Sequence, residues 1–200
     1  MIGDFIYDLF HGLGPVVALL ALFVIFVIDA AIFPALPEVF AVIFFLANPL
    51  PDGSTLVWGL AILCMAILGE LTGNTLLYVI VRNLLVRKKE MPGFLERVMK
   101  RYVDFLVVKD EKIILMNRIA PVVPMVGAFM AVCEWSYRRS MSYIFLGAVA
   151  KYSFLLLLVG FFGMVYEKET AQIIALVAVL AIIVISGLLS VVYRRRMRDQ

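Results

Sequence analysis

The chain has 200 residues, 64% of them hydrophobic and 16% charged, with a formal net charge of +3 and a mean hydropathy of +1.03. A soluble domain carries about 45–50% apolar residues, so this chain lacks the polar groups to cover a water-facing surface. It reads as an integral membrane protein of one domain. Its two cysteines, Cys64 and Cys133, have no CxxC spacing and its one histidine is His11, which argues against a redox dithiol or a metal site. Both thiols read as small core hydrophobes. The basic excess lies in loops and the C-terminal tail, where it reports topology rather than nucleic-acid binding.

The N-terminal stretch "MIGDFIYDLFHG" contains Asp4 and Asp8 and no Lys or Arg, unlike the basic start of a signal peptide. Residues 1–13 are expected to form an amphipathic helix on the membrane surface, with Phe5, Leu9 and Phe10 dipping inward. Residues 15–81 follow as a first hairpin plus a helix. The apolar run Pro15–Ala47 is broken at "FPALPE", and a spanning helix is predicted over Thr55–Val81. Its segment "LGELTGN" puts Glu70, Gly73 and Asn74 at membrane depth, where the two glycines are expected to loosen the helix. Residues 82–112 hold half of the eighteen Lys and Arg and are expected on the cytoplasmic side. Apolar residues recur at helical spacing between Pro92 and Val108, which fits an amphipathic helix on the inner leaflet or an ordinary connector.

Residues 113–163 form a second hairpin plus a helix. The run Ile113–Trp135 is broken at "APVVP", and Ser140–Gly163 is a second spanning candidate with Lys151 near its middle. The last helix, 170–193, contains the uncharged stretch Ala171–Val192. A spanning helix needs about 20 such residues. The basic tail 194–200 follows it and marks the cytoplasmic side.

Proline removes a backbone donor and clashes with the preceding turn. In hydrocarbon, a broken backbone is tolerated only where protein or a water cavity surrounds it. The pairs Pro34/Pro37 and Pro121/Pro124 therefore predict two re-entrant hairpins. Each is followed by a helix with a Leu-Gly step, Leu68-Gly69 or Leu146-Gly147, and a polar residue about a turn later, Asn74 or Lys151. With the hairpins opening on opposite sides, every basic cluster falls on one side. The expected fold is an all-α membrane protein: an inverted repeat of re-entrant hairpin plus transmembrane helix, closed by a C-terminal transmembrane helix.

Six ionisable residues lie in or near the predicted hydrocarbon: Asp29, Glu38, Glu70, Arg118, Glu134 and Lys151. Each costs about 2.5–3.5 kcal/mol at a helix centre. Glu134, beside Trp135, reads as interfacial. Arg118 cannot shed its proton in practice and needs an anion. That anion is Asp29, Glu38, Glu70 or a ligand phosphate. Asp29 and Glu38 are proton-carrying candidates, since a desolvated carboxylate can approach neutrality. Lys151 neutralises an acid or contacts substrate. Glu70 is a further proton-coupling candidate, although an i,i+4 partnership with Asn74 is its default. Small residues such as Gly127 and Ala128 suit close helix packing, within the chain or in a homodimer.

Four stretches resemble the DedA family of the VTT (SNARE-associated) superfamily. These are "FPALPE", "AILGELTGNTLLYVIVR", "NRIAPVVPMVGAFMA" and "WSYRRSMSYIFLGAVAKY", spanning roughly residues 25–165. The resemblance implies two opposed re-entrant hairpins, shaped by Pro34, Pro37, Pro121, Pro124 and Gly127. It also implies movement of polyprenyl-phosphate carriers or phospholipids, coupled to protons; sodium is the other candidate coupling ion. Asp29 and Glu38 match the family's two acids around the first hairpin, and Arg118 its first arginine. Pro124 stands where the family has a second arginine, and Lys151 where many members have tryptophan. A second head-group cation would then come from Lys151 or be missing.

The expected function is thus a lipid flippase or scramblase in the cell membrane, with no cofactor and no metal. A cation or drug exporter would use the same acids but not Arg118. A membrane scaffold would use the charges for folding and the 82–112 face for a partner. No nucleophile–base set points to an enzyme.

Overall fold

The computed structural model describes residues 14–32, 36–48, 50, 54–88, 111–119, 123, 125–166 and 168–198. All regular structure among them is helical. In chain order the helices are α1 (Gly14–Ala31), α2 (Pro37–Ala47), α3 (Thr55–Lys88), α4 (Ile113–Ile119), α5 (Val126–Val132), α6 (Tyr137–Val165) and α7 (Lys168–Arg198). The expected 1–13 helix, Pro34, Pro121, Pro124 and most of the 82–112 connector lie outside the described residues.

Four helices are long and apolar enough to cross a membrane: Gly14–Ala31, Thr55–Leu84, Tyr137–Val165 and Ile173–Val192. The chain is a helical membrane protein. At about 1.5 Å per residue, α3 and α6 exceed a hydrocarbon core of about 30 Å, whereas α2, with 11 residues, cannot cross one.

The bounds shift from the sequence reading in a consistent direction. The predicted Thr55–Val81 span continues to Lys88, and helix α7 runs through the basic tail to Arg198. Neither extension contains Pro or Gly, so nothing stops the helix where the hydrocarbon ends. Helix α6 begins at Tyr137, three residues before the expected Ser140.

The largest helix interface joins α1 to α3. Gly69 lies against Phe23 and Phe26, and Gly73 against Val27 and Ala30. These contacts advance together along both helices, so α1 and α3 run in the same direction. A Cβ at Gly69 would fall 2.5 Å from the Phe26 Cβ, and one at Gly73 2.6 Å from the Val27 carbonyl oxygen. The two glycines therefore do not loosen α3, which is unbroken through them; they let α1 close onto it. The contacts of α6 with α3 run the other way, since Thr75 meets Tyr137 and Glu70 meets Tyr152. These two helices are antiparallel.

Two apolar clusters result. One gathers Leu22 and Phe26 of α1, Val42 and Phe44 of α2, Trp58 and Ile62 of α3, Tyr152 and Val159 of α6, and Val179 of α7. The other surrounds α5 with Leu77, Val81, Ile114 and Ile144. Cys64 is exposed on α3 rather than in the core, and Cys133 is half-buried. An apolar side chain facing lipid carries no penalty, so composition could not tell the two locations apart.

Candidate functional site: a charged cavity among the helices

Between these clusters lies a cavity of about 1040 Å³. Four of the ionisable residues on its wall form two acid–base pairs. Arg118, in the last turn of α4, places Nη1 2.7 Å from the Glu70 Oε1 of α3. Lys151 of α6 pairs with Glu38 in the first turn of α2. Asp29, near the end of α1, lines the same cavity.

Helix geometry explains each placement. Glu70 and Asn74 are one turn apart on α3, and both are buried, at 4% and 5% exposure. Asn74 does not meet the Glu70 carboxylate, as the i,i+4 reading expected. Its Nδ2 donates to the Glu70 backbone carbonyl at 2.9 Å, and its Oδ1 accepts the Gly127 backbone N–H at 3.0 Å. Asn74 thereby ties α5 to α3 and leaves the carboxylate to Arg118. Gly127 makes this approach feasible, because a Cβ there would lie 2.3 Å from the Asn74 carbonyl oxygen. Its expected packing role is thus played within the chain.

The Arg118 stem crosses Gly147 of α6, where a Cβ would come 2.7 Å from Arg118 Cγ. The Leu146-Gly147 step is therefore a seat for the arginine. Neighbouring Asn117 accepts the Val123 N–H on Oδ1 at 2.7 Å, which satisfies backbone beyond the end of α4.

Tyr152 completes the Glu70 site, and sequence reasoning missed it. Its hydroxyl donates to Glu70 Oε1 at 2.8 Å, and its ring packs edge-on against Phe26 at 5.1 Å between centroids. The only hint in the sequence was its position beside Lys151. Adjacent residues project about 100° apart on a helix, so Lys151 and Tyr152 serve different acids. Two buried atoms at the site, Glu70 Oε2 and Arg118 Nε, have no hydrogen-bond partner among the described residues.

Glu134 is exposed after α5 and is not among the residues that line the cavity. Among the described residues no group of His, Cys, Asp and Glu could hold a metal. The lining from α7 is Val179, Ile182, Ile183, Ile185 and Leu189 with one polar residue, Ser186. The arrangement puts cations, acids and a largely apolar surface into one cavity. No protein-family model, curated protein or solved structure matches the chain.

Proposed function

We propose that this protein translocates phosphate-bearing lipids across the cell membrane, as a flippase or scramblase. The cargo is a polyprenyl phosphate or a phospholipid, and protons or sodium are the coupling ions. The observation that carries this reading is the cavity itself, whose lining joins two intramembrane cations to a largely apolar surface that includes residues of α7. Ionisable groups are costly in hydrocarbon and typically mark substrate or ion pathways. An amphiphile with an anionic head matches both kinds of lining.

The DedA-like arrangement of two re-entrant hairpins in an inverted repeat belongs to the same proposal. Two features support it. Helices α4 and α5 have seven residues each, too short to cross a bilayer. In addition, α2 and α5 both start from a residue in the left-handed region, Leu36 and Met125, each with φ 52°. Such a conformation costs a residue other than glycine about 1–2 kcal/mol, so its recurrence marks similarly forced turns. We place the basic residues around 82–112 and the C-terminus on the cytoplasmic side.

The test is transbilayer movement of a polyprenyl phosphate and of a labelled phospholipid in liposomes, for wild type, Arg118→Ala and Lys151→Ala. Fast movement lost in Arg118→Ala and reduced in Lys151→Ala is the expected result. The closed Arg118–Glu70 pair favours one other reading, a scaffold whose charges lock helices together. Under it neither lipid moves faster than in protein-free vesicles.

A further inference from the structure

Within the head-group reading above, on which this inference rests, the Glu70 carboxylate already occupies the place of an anion. We propose that Glu70 is an internal stand-in for the ligand's phosphate, held by Arg118 and Tyr152 until the ligand displaces it.

Three features of the site converge on this. First, two donors from different helices, Arg118 Nη1 at 2.7 Å and the Tyr152 hydroxyl at 2.8 Å, meet on the single oxygen Oε1. Of the two, the charged guanidinium is the donor that a phosphate oxygen takes over, and the neutral hydroxyl holds Glu70 in place. Second, the match to a carboxylate is incomplete. Arg–carboxylate pairs are frequently bidentate, but here Oε2 and Arg118 Nε are both buried and have no partner among the described residues. A buried polar atom without a partner is costly. A tetrahedral anion, with more oxygens than a carboxylate, can reach the unused Nε as well as Nη1.

Third, both cations of the site are already taken, Arg118 by Glu70 and Lys151 by Glu38. An arriving anion would be buried without a cation of its own unless Glu70 gives up Arg118. Glu70 lines the cavity, so its carboxylate can turn from the guanidinium toward that space as the anion takes its place. Arg118 is the fixed partner, since its stem is seated on the Gly147 backbone. Tyr152, wedged against Phe26, is a positioning residue that holds Glu70 in the closed arrangement.

The experiment measures equilibrium binding of farnesyl phosphate to the full-length protein in nanodiscs. Farnesol is the uncharged control, and inorganic phosphate is the head group alone. Glu70→Gln is expected to bind farnesyl phosphate about tenfold more tightly than wild type, and Tyr152→Phe about threefold, with Arg118→Ala losing binding. Farnesol binding should not change. Equal tightening for inorganic phosphate would assign the anion to a free ion, and tightening for farnesyl phosphate alone would assign it to a lipid.

If Glu70→Gln and Tyr152→Phe bind no more tightly than wild type while Arg118→Ala still loses binding, the stand-in is refuted and the head-group reading stands. If wild type and Glu70→Gln both fail to bind, the head-group reading falls and the stand-in with it. Should Glu70→Gln not fold, Tyr152→Phe decides: tighter binding supports the stand-in, and unchanged or weaker binding overturns it.

Discussion

The two proline-broken regions are held in place by different forces. The first, α1 and α2, has helices of 18 and 11 residues and is fastened mainly by apolar packing. Leu22, Phe26, Val42 and Phe44 are buried against α3 and α6, and two polar ties are added, the Trp58 indole to the Phe44 carbonyl at 2.7 Å and the more exposed Glu38–Lys151 pair. The second, α4 and α5, has two helices of seven residues and is fastened by polar side chains: Asn117 to Val123, Asn74 to Gly127, and Arg118 to Glu70. Every helix leaves four N–H and four C=O groups unpaired at its ends. In a seven-residue helix these are most of the backbone, and hydrocarbon supplies no water to satisfy them. The short region therefore needs asparagines where the long one can rely on hydrophobes.

The contrast predicts that polar substitutions damage the second region more than the first. The largest effect is expected at Glu70. Glu70→Ala leaves Arg118 buried without its carboxylate and should destabilise the protein by about 3–5 kcal/mol. Glu38→Ala, whose partner Lys151 is 29% exposed, should cost less than about 2 kcal/mol. Thermal unfolding in detergent measures both, and equal losses would break the comparison.

Gly127→Ala comes next, at about 1–3 kcal/mol, because the new methyl meets a backbone oxygen that cannot rotate away. Asn117→Ala should cost about 1–2 kcal/mol by removing the acceptor of the Val123 N–H. Trp58→Phe in the first region should cost about 1 kcal/mol. Hydrogen exchange at Val123 would sharpen this pair, rising in Asn117→Ala and not in Trp58→Phe. The smallest effect is expected at Gly163, which has no neighbour within 4 Å of an added Cβ. Gly163→Ala should stabilise α6 by no more than about 1 kcal/mol.

How much of this was legible beforehand depends on whether a property belongs to one residue or to two. Apolar run length marked the membrane class and three of the four spans, since transfer into hydrocarbon is a sum over single side chains; the fourth, Gly14–Ala31, falls in the run that the first proline pair assigns to a hairpin. The same rule marked Glu38, Glu70, Arg118 and Lys151 as out of place in their runs. Which acid meets which base was not legible. Glu70 and Arg118 are 48 positions apart, and Glu38 and Lys151 are 113 apart. Their pairing depends on how far each helix slides and rotates against its neighbours. The same geometry brought Tyr152 to Glu70, turned Asn74 from the Glu70 carboxylate to the Gly127 N–H, made Gly69 and Gly73 contact points rather than loose joints, and seated Arg118 on Gly147. The sequence by itself determined what must be buried in the membrane; the packing of α3 against α1, α5 and α6 decided which groups meet there, because contact energies depend on distances that no linear pattern encodes.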